Sequence, residues 1–197
     1  DLVRSRGLGD VYKRQPVEFV LEAGGFFAPL SQVRQEVYRP LLRRVMLEAR
    51  RRLGDDLVSL VLFGSVARGS ANAGSDVDLL VVAENLPASM SERMRAFTEM
   101  EKSVVGLELR LWREKGVYVS VQFYPLSRDE ASTFRPVYLD MVFDAVFLFD
   151  RGGFMQGVLQ GLRGKLEELG SRRVELPSGG WYWVLKPDMA PGEVVEI

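Results

Sequence analysis

The sequence of 197 residues contains no cysteine and no histidine. Without thiols there can be no disulfide, no cysteine nucleophile and no cysteine-ligated zinc, and without imidazole there is no serine–histidine triad and no histidine base. Any metal must therefore be held by oxygen ligands, which favours the hard cations Mg²⁺, Mn²⁺ and Ca²⁺.

Long hydrophobic runs and a strong charge of one sign are also missing. The longest apolar stretches, residues 57–63 and 145–149, are far shorter than the ~20 residues that a membrane-spanning helix needs, so we expect no membrane partner. The formal net charge of −1 gives no overall basic field, so nucleic-acid binding is not expected, although a local basic patch stays open. With 47% hydrophobic residues, the chain can still build the core of one ordinary domain.

The first fifteen residues differ from the rest of the chain. Residues 5–15 read SRGLGDVYKRQ and resemble the translation of a transposase-end sequencing adapter of the kind used for metagenomic libraries. We interpret residues 1–15 as an artefact and exclude them from the fold prediction. The alternative is an ordinary basic N-terminal arm.

Hydrophobic spacing predicts helices that alternate with short strands. Apolar residues at intervals of three or four predict helices over residues 31–53, with a kink or restart at Pro40, and over residues 91–115. Two β-rich runs, residues 57–63 and 77–83, predict strands joined by a loop rich in glycine and serine.

The second half of the chain continues this pattern. Residues 117–124 alternate as a strand, and Ser127 with Glu130 forms a capping box that predicts the start of a helix. Residues 145–149 predict a last core strand, and a helical stripe after it ends at Gly170.

The C-terminal residues predict a β-hairpin, with strands at 173–176 and 181–185 around a Pro-Ser-Gly-Gly turn. The elements together predict an α+β (α/β-like) fold, in which a small mixed sheet has flanking helices and is followed by a C-terminal helix and a short β-hairpin. The order of the strands does not follow from these patterns.

Polar residues between the first two predicted strands form a candidate site. Gly64 lets the backbone approach a ligand, the residues after it can open a helix whose free N–H groups attract phosphate, and Ser65 adds a hydroxyl donor. On a strand, Asp76 and Asp78 point to the same face, with Cα atoms about 6 to 7 Å apart. Two like charges on an apolar strand are unfavourable unless a cation or solvent offsets them, which predicts a metal site.

These residues read GSVARG and then SDVDLLV, and they resemble the signature of the DNA polymerase beta superfamily of nucleotidyltransferases. Within it, the match is similar to the minimal nucleotidyltransferases of bacteria and archaea. The resemblance implies a nucleotidyltransferase fold, ATP as substrate, and Mg²⁺ or Mn²⁺ as cofactor. The absence of cysteine, together with the use of a nucleotide, makes the cytoplasm the expected location. The resemblance also implies catalytic and metal-binding roles for Asp76 and Asp78, and a nucleotide site formed by Gly64, Ser65, Arg68 and Ser75.

The resemblance also suggests how the chain is divided. We assign residues 16–30 to an N-terminal extension, residues 31–150 to the nucleotidyltransferase domain, and residues 151–197 to an appendage that holds the C-terminal helix and hairpin.

Several residues of the candidate site have a second interpretation. The two aspartates could sit in solvent on a β-hairpin, Arg68 could be an exposed or packing residue, and Ser75 could serve only the loop. Trp181–Trp183 could stack on a base, but an aromatic strand that covers the core or a dimer partner is more common, so we assign these residues no site.

One expected feature is missing from the sequence pattern. The resemblance implies a third carboxylate on a later strand, yet the polar face of residues 117–124 carries no acid: it consists of Tyr118, Ser120, Gln122 and Tyr124. Four acids follow further along the chain, and the sequence places none of them in the site: Asp129, Glu130, Asp140 and Asp144.

Three functions follow from the resemblance and from the missing acid. The first is a transferase that moves AMP from ATP to a hydroxyl on a protein or small molecule, with the antitoxin of a HEPN-type helical toxin as its specific version. The second is a nucleotide-binding regulatory or interaction module whose catalysis has lapsed. The third, an aminoglycoside or other small-molecule nucleotidyltransferase, is less favoured because no large second domain is evident. A homo-oligomer stays open.

Overall fold

A computed structural model describes residues 28–177, 180–190 and residue 194. The adapter-like segment, most of the predicted N-terminal extension and the centre of the predicted hairpin turn lie outside the described residues. Among the helices of these ranges, none is both long and apolar enough to span a bilayer.

The described residues form two sheets and a set of flanking helices. The strands are β1 (Leu57–Phe63), β2 (Val77–Ala83), β3 (Val121–Ser127), β4 (Val146–Asp150), β5 (Arg172–Glu175) and β6 (Trp181–Val184). The α-helices are α1 (Arg39–Leu53), α2 (Gly64–Arg68), α3 (Met90–Lys115), α4 (Arg128–Ser132), α5 (Tyr138–Asp144) and α6 (Phe154–Glu168). Short 3₁₀ turns occupy Ala28–Gln32, Glu36–Tyr38, Gly54–Asp56 and Arg151–Gly153.

The first predicted helix does restart at Pro40. Two 3₁₀ turns precede α1, which begins at Arg39 and so carries Pro40 in its first turn. A proline there is tolerated because the N–H that it lacks would have no partner within the helix. The helix ends at Gly54, which has a φ of +53°.

The larger sheet has the strand order β3-β2-β1-β4, which the sequence had left open. β1 pairs antiparallel with both β2 and β4, whereas β2 and β3 are parallel and are connected through the long helix α3. The sheet is therefore mixed, and the predicted fold class is confirmed. The division into residues 16–30, 31–150 and 151–197 stays a prediction.

Helices cover both faces of this sheet. Leu79 and Val81 pack with α1 and α3 on one face, and Leu80 and Val82 pack with α5 and α6 on the other. Full burial of one such side chain stabilises the fold by roughly 1.5 to 3 kcal/mol. Because alternate residues of a strand face opposite sides, Asp78 faces the same side as Leu80, which is the side of α5 and α6.

The predicted strand over residues 117–124 is wrong in its limits, because β3 covers Val121–Ser127. Gly116 ends α3 with a φ of +65°, and the Tyr118 N–H then donates to the Ala73 carbonyl at 2.8 Å. The chain is thus tied to the loop before β2, and the pairing of the two strands begins only at Val77 and Val121.

The smaller sheet is the predicted hairpin, formed by β5 and β6. Its strands are close to the predicted ranges, since β5 covers Arg172–Glu175 and β6 covers Trp181–Val184. The capping box of Ser127 and Glu130 is also present at the start of α4.

Candidate functional site

The candidate site lies at the end of the sheet where β1 stops and β2 starts. Phe63, the last residue of β1, is paired with Asp78 in the register of the two strands. Gly64 follows with a φ of +72°, and a Cβ atom built on it would lie 2.3 Å from the Asp78 Oδ2 atom. Only glycine fits there without displacing this carboxylate, so the turn and the aspartate form one structural unit.

The two aspartates of the predicted metal site lie at the beginning of β2. Asp76 is exposed and lies one residue before the strand, rather than on it as predicted, and Asp78 is half-buried. Burial raises the pKa of the Asp78 carboxyl, the charges of Asp76 and Asp140 raise it further, and Arg68 partly opposes this rise. The arrangement concentrates negative charge that a bound cation would offset.

Arg68 ends α2 on the same side of the sheet as Asp78. Its guanidinium lies 4.4 Å from the centroid of the Trp181 ring, and its charge lowers the pKa of Asp78. The contact with the ring fits the interpretation of Arg68 as a packing residue. Its position in the field of the aspartates fits the interpretation of Arg68 as part of the nucleotide site.

The two predicted serines differ in their surroundings. Ser65 is half-buried and directly follows Gly64 in the turn. Ser75 serves the loop: its Oγ atom accepts a hydrogen bond from the Asn72 N–H at 2.9 Å. Ser65 is therefore better placed than Ser75 to donate to a ligand at Gly64.

The parallel register of β2 and β3 locates the residue beside Asp78. This residue is Gln122, because Asp78 is opposite Gln122 in the ladder. The exposed amide of Gln122 donates to the Ser120 Oγ atom at 2.7 Å. An amide and a hydroxyl therefore stand where the resemblance implies a third carboxylate.

Two of the four downstream acids lie at the opposite end of the sheet. β3 ends at Ser127, which is paired with Ala83, five residues along β2 from Asp78 and thus roughly 16 Å away. Asp129 and Glu130 come after this residue. Glu130 is also bound to Arg93 at 2.5 Å, and this hydrogen bond is the main reason why its pKa falls to about 2.

The other two acids lie on α5, close to the site. Asp144 forms an ion pair with Arg173 of β5 at 3.1 Å. Asp140, one turn earlier, accepts a hydrogen bond from the Trp181 Nε1 atom at 3.2 Å, and its charge contributes to the raised pKa of Asp78. Of the four acids, Asp140 is the one whose charge reaches Asp78.

Sequence reasoning missed the part that Trp181 plays at this site. The residue contacts both Arg68 and Asp140, which are 113 and 41 positions earlier in the chain. No local pattern reports such contacts, because they arise only when the hairpin packs beside α5.

The carboxylates of Asp76 and Asp78 suit a cation that is also bound by the phosphates of a nucleotide. Among the described residues, no group of three or more acidic side chains is placed to hold a metal. Mg²⁺ is commonly bound through one or two carboxylates and substrate phosphates, so the pair of Asp76 and Asp78 could hold it together with a triphosphate.

A mixed sheet with a Gly-Ser turn at the end of one strand and paired aspartates at the start of the next is the arrangement that the resemblance to nucleotidyltransferases predicts. Residues 42–132 match the family described as nucleotidyltransferase domain. The matched range is a little under half of the chain, and it agrees with the family that the sequence motif resembles. The matched range includes Gly64, Asp76 and Asp78, and it ends before Asp140 and Trp181.

One curated relative is described as a putative protein adenylyltransferase, MJ1305, from Methanocaldococcus jannaschii. It is 39% identical to this chain over 66 residues. The alignment covers 34% of this chain and 45% of the relative, so the chain spans less than half of that protein's length.

Solved structures with a similar fold include a toxin–antitoxin complex crystallised with AMP-PNP and a mutant of the toxin–antitoxin complex MntA–HpeT. Each is 16% identical to this chain, and the alignments cover 64% of this chain and 90% of the other. The TM-scores are 0.37 and 0.38, too low to support a conclusion about function.

Proposed function

We propose that this protein transfers AMP from ATP to a hydroxyl group of a protein, with Mg²⁺ held by Asp76 and Asp78. The observation that carries the proposal is the contact between the Gly64 turn and Asp78, where a Cβ on the glycine would lie 2.3 Å from the carboxylate. A phosphate chain at this turn would lie against the carboxylates, and the cation would lie between them.

Each residue of the predicted nucleotide site has a role in this proposal. Gly64 exposes its backbone to the triphosphate, Ser65 donates its hydroxyl hydrogen, and Arg68 supplies positive charge. Ser75 shapes the loop before Asp76. When bound, Mg²⁺ would offset charge on the triphosphate and on the departing pyrophosphate.

The reaction forms one bond to the α-phosphorus of ATP and breaks another. The acceptor hydroxyl oxygen bonds to this phosphorus while its bond to the oxygen that leads to the β-phosphate breaks. Pyrophosphate leaves with the bonding electron pair. We assign the hydroxyl proton to the Oδ2 atom of Asp140, since Oδ1 accepts the Trp181 N–H.

The acceptor is the finer part of the proposal. The curated relative is described as a putative protein adenylyltransferase, which supports a protein acceptor. The resemblance to minimal nucleotidyltransferases supports a HEPN-type helical toxin as that protein, with this chain as its antitoxin in the cytoplasm.

The test uses ATP with radioactive phosphorus at either the α- or the γ-position, Mg²⁺ and a HEPN-type toxin. We expect α-label, and no γ-label, to become covalently attached to the toxin. Asp78→Asn should remove the label, whereas Asp129→Asn, which alters an acid at the other end of the sheet, should keep it. If no α-label reaches the toxin while ATP still binds, AMP transfer to this class of acceptor is contradicted.

A second function, a nucleotide-binding module without catalysis, is favoured by one observation, namely the amide of Gln122 opposite Asp78. Under this hypothesis ATP binds and no acceptor is labelled. Gln122→Glu separates the two functions: it should raise transfer in a slow enzyme, and it should produce no label in a module that lacks the rest of the machinery.

A further inference from the structure

Trp181 of the C-terminal hairpin lies beside the candidate nucleotide site. Trp181, at the start of β6, presents its ring to the guanidinium of Arg68, whose central carbon lies 4.4 Å from the ring centroid. The indole N–H of the same residue donates to the Oδ1 atom of Asp140 at 3.2 Å. Trp181 thus connects α2, which follows the Gly64 turn, with α5.

We propose that Trp181 is a positioning residue of the nucleotide site: its indole, oriented by Asp140, holds the Arg68 guanidinium beside the Gly64 turn, ready for a triphosphate. This inference rests on the proposed function for the identity of the ligand. It adds a residue outside the range that matches the nucleotidyltransferase domain family.

Arg68 lies near acidic side chains that could draw its guanidinium away from a ligand. Its field acts on Asp78, and Asp140 accepts the hydrogen bond of the indole N–H. Within the described part of the chain, no ion pair joins Arg68 to either acid; its guanidinium stacks on the ring instead. A stacked guanidinium keeps its N–H donors in the ring plane available for phosphate.

Support from the ring also lowers the entropic cost of binding. A free arginine side chain has several rotatable bonds, and their freedom is lost when it binds phosphate. A guanidinium that is already held on a ring loses less freedom, so the nucleotide should bind more tightly than it would to an unsupported arginine.

The hairpin has anchors that do not involve the contacts of Trp181 with Arg68 and Asp140. The Trp183 ring is stacked on Phe143 with a centroid distance of 5.8 Å and an angle of 6°. Arg173 of β5 forms an ion pair with Asp144, and its guanidinium also lies 5.1 Å from the Trp181 ring centroid, a contact that is lost when leucine replaces Trp181. The hairpin should therefore stay in place when Trp181 is replaced, which allows its local role to be measured.

Two replacements of Trp181 separate its ring from its N–H. Trp181→Phe keeps an aromatic face for Arg68 and removes the donor to Asp140. Trp181→Leu fills part of the volume and removes both the aromatic face and the donor. Trp183→Phe is a matched control, because it makes the same change two residues away, where the Nε1 atom is buried without a hydrogen-bond partner among the described residues.

The experiment measures the affinity of the full chain for α,β-methylene-ATP with Mg²⁺ by calorimetry, so no acceptor or turnover is required. We expect Arg68→Ala to weaken binding roughly tenfold, and Trp181→Leu roughly three- to tenfold. Trp181→Phe should recover most of the affinity that Trp181→Leu loses, and Trp183→Phe should bind as the parent does.

The decisive measurement is the double variant of Arg68→Ala and Trp181→Leu. If Trp181 acts through Arg68, the double variant binds no more weakly than Arg68→Ala alone. A purely structural role would instead lower the thermal midpoint of Trp181→Leu and would weaken binding in both backgrounds.

Three results would overturn the proposal. One is unchanged affinity in Trp181→Leu while Arg68→Ala binds weakly. Another is an additive loss in the double variant, which would mean that Trp181 contacts the nucleotide itself or supports the fold. The third is a parent chain that binds no α,β-methylene-ATP. That result would also contradict the proposed function, and it is detected without any variant.

Discussion

The two ends of the central sheet carry acidic side chains in opposite situations. At the end where β2 stops, Glu84 contacts Arg128 and Arg151, Glu130 contacts Arg93, and Asp150 accepts hydrogen bonds from Ser59 and from two backbone N–H groups of α6. At the other end, Asp76 and Asp78 have no hydrogen bond or ion pair among the described residues.

This difference separates acids that the fold pairs with partners from acids that it leaves unpaired, which we propose to be ligands of a bound cation. Burial of a charge is costly unless the charge is paired, and the fold provides partners at one end of the sheet. At the end with the Gly64 turn, burial and neighbouring charges raise the pKa of Asp78. An uncompensated cluster of this kind is typical of a binding site for a cation.

Removal of the Asp78 charge should have the largest effect on binding. Asp78→Asn should abolish binding of ATP with Mg²⁺, a loss of roughly a hundredfold or more for a direct ligand of the ion. Because the raised pKa shows that the ionised form is disfavoured in the fold, the ligand-free variant should melt no lower than the parent at pH 7.

Calorimetry with ATP and melting curves test both halves of this prediction. The control is Glu84→Gln at the paired end of the sheet, which should retain ATP affinity and lose some stability. If Asp78→Asn binds ATP as the parent does, the metal assignment is wrong.

Asp140 should matter for the rate and little for nucleotide affinity. Asp140→Asn should lower AMP transfer by roughly 10² to 10⁴, the usual contribution of a positioned general base. The amide oxygen can still accept the Trp181 N–H, so the affinity for ATP should change little. Single-turnover transfer and calorimetry on this variant separate the two quantities, and Asp129→Asn is the control.

An unchanged transfer rate in Asp140→Asn would show that Asp140 does not take the proton of the acceptor hydroxyl. A base on the acceptor, or solvent, would then take it. The same result would also remove the distinction between Asp140 and the other three downstream acids.

Gly64 should not tolerate a side chain, for two reasons that a control can separate. Its φ of +72° is strained for alanine, at about 1 to 2 kcal/mol, and a Cβ would also push the Asp78 carboxylate aside. Gly116→Ala has the first problem alone, since its φ is +65° and a Cβ there would meet nothing within 4 Å.

Both glycine variants should therefore lose stability, and Gly64→Ala should in addition lose ATP affinity by roughly tenfold or more. Titration of each variant with ATP and Mg²⁺ measures this difference. Equal affinities would show that the turn is not where the phosphates bind.

The parts of this structure that the sequence predicts are those fixed by local patterns. Residues 57–63 and 77–83 are β1 and β2, because each apolar run is bounded by glycine or by polar residues. The capping box of Ser127 and Glu130 is confirmed for the same reason, since its two hydrogen bonds join residues three apart.

The parts that the sequence could not predict depend on contacts between distant residues. The start of β3 is displaced because Tyr118 is bound to Ala73. Asp140 lies close enough to raise the pKa of Asp78 because α5 packs on that face of the sheet. Arg68 contacts the Trp181 ring because the hairpin packs there too. Alternation within one strand shows which residues share a face, but it does not show which helix covers them.

The smallest predicted effect concerns the ion pair of Arg93 and Glu130 at the end of the sheet where β2 stops. This pair should make the free energy of unfolding depend on pH, and it should leave nucleotide affinity unchanged. Arg93 is 6% exposed and Glu130 is 35% exposed, and their ion pair is the main cause of the fall in the Glu130 pKa from 4.5 to about 2. A carboxylate whose pKa is lower in the folded state stabilises that state above its unfolded pKa. The contribution is then lost as the pH falls through the folded pKa.

Glu130→Gln should therefore lower the free energy of unfolding by about 1 to 2 kcal/mol at pH 7, after allowance for the partial exposure of the pair. The gap between the parent and the variant should narrow below pH 4.5 and close near pH 2. Urea titrations across this range measure the gap, with Glu99→Gln as a control in an exposed pair that should show no change. ATP affinity should be the same in all three proteins, because Glu130 lies at the opposite end of the sheet from Asp78. A gap that stays constant with pH would mean that Glu130 stabilises the start of α4 through its capping hydrogen bonds, which glutamine can partly replace, rather than through its charge.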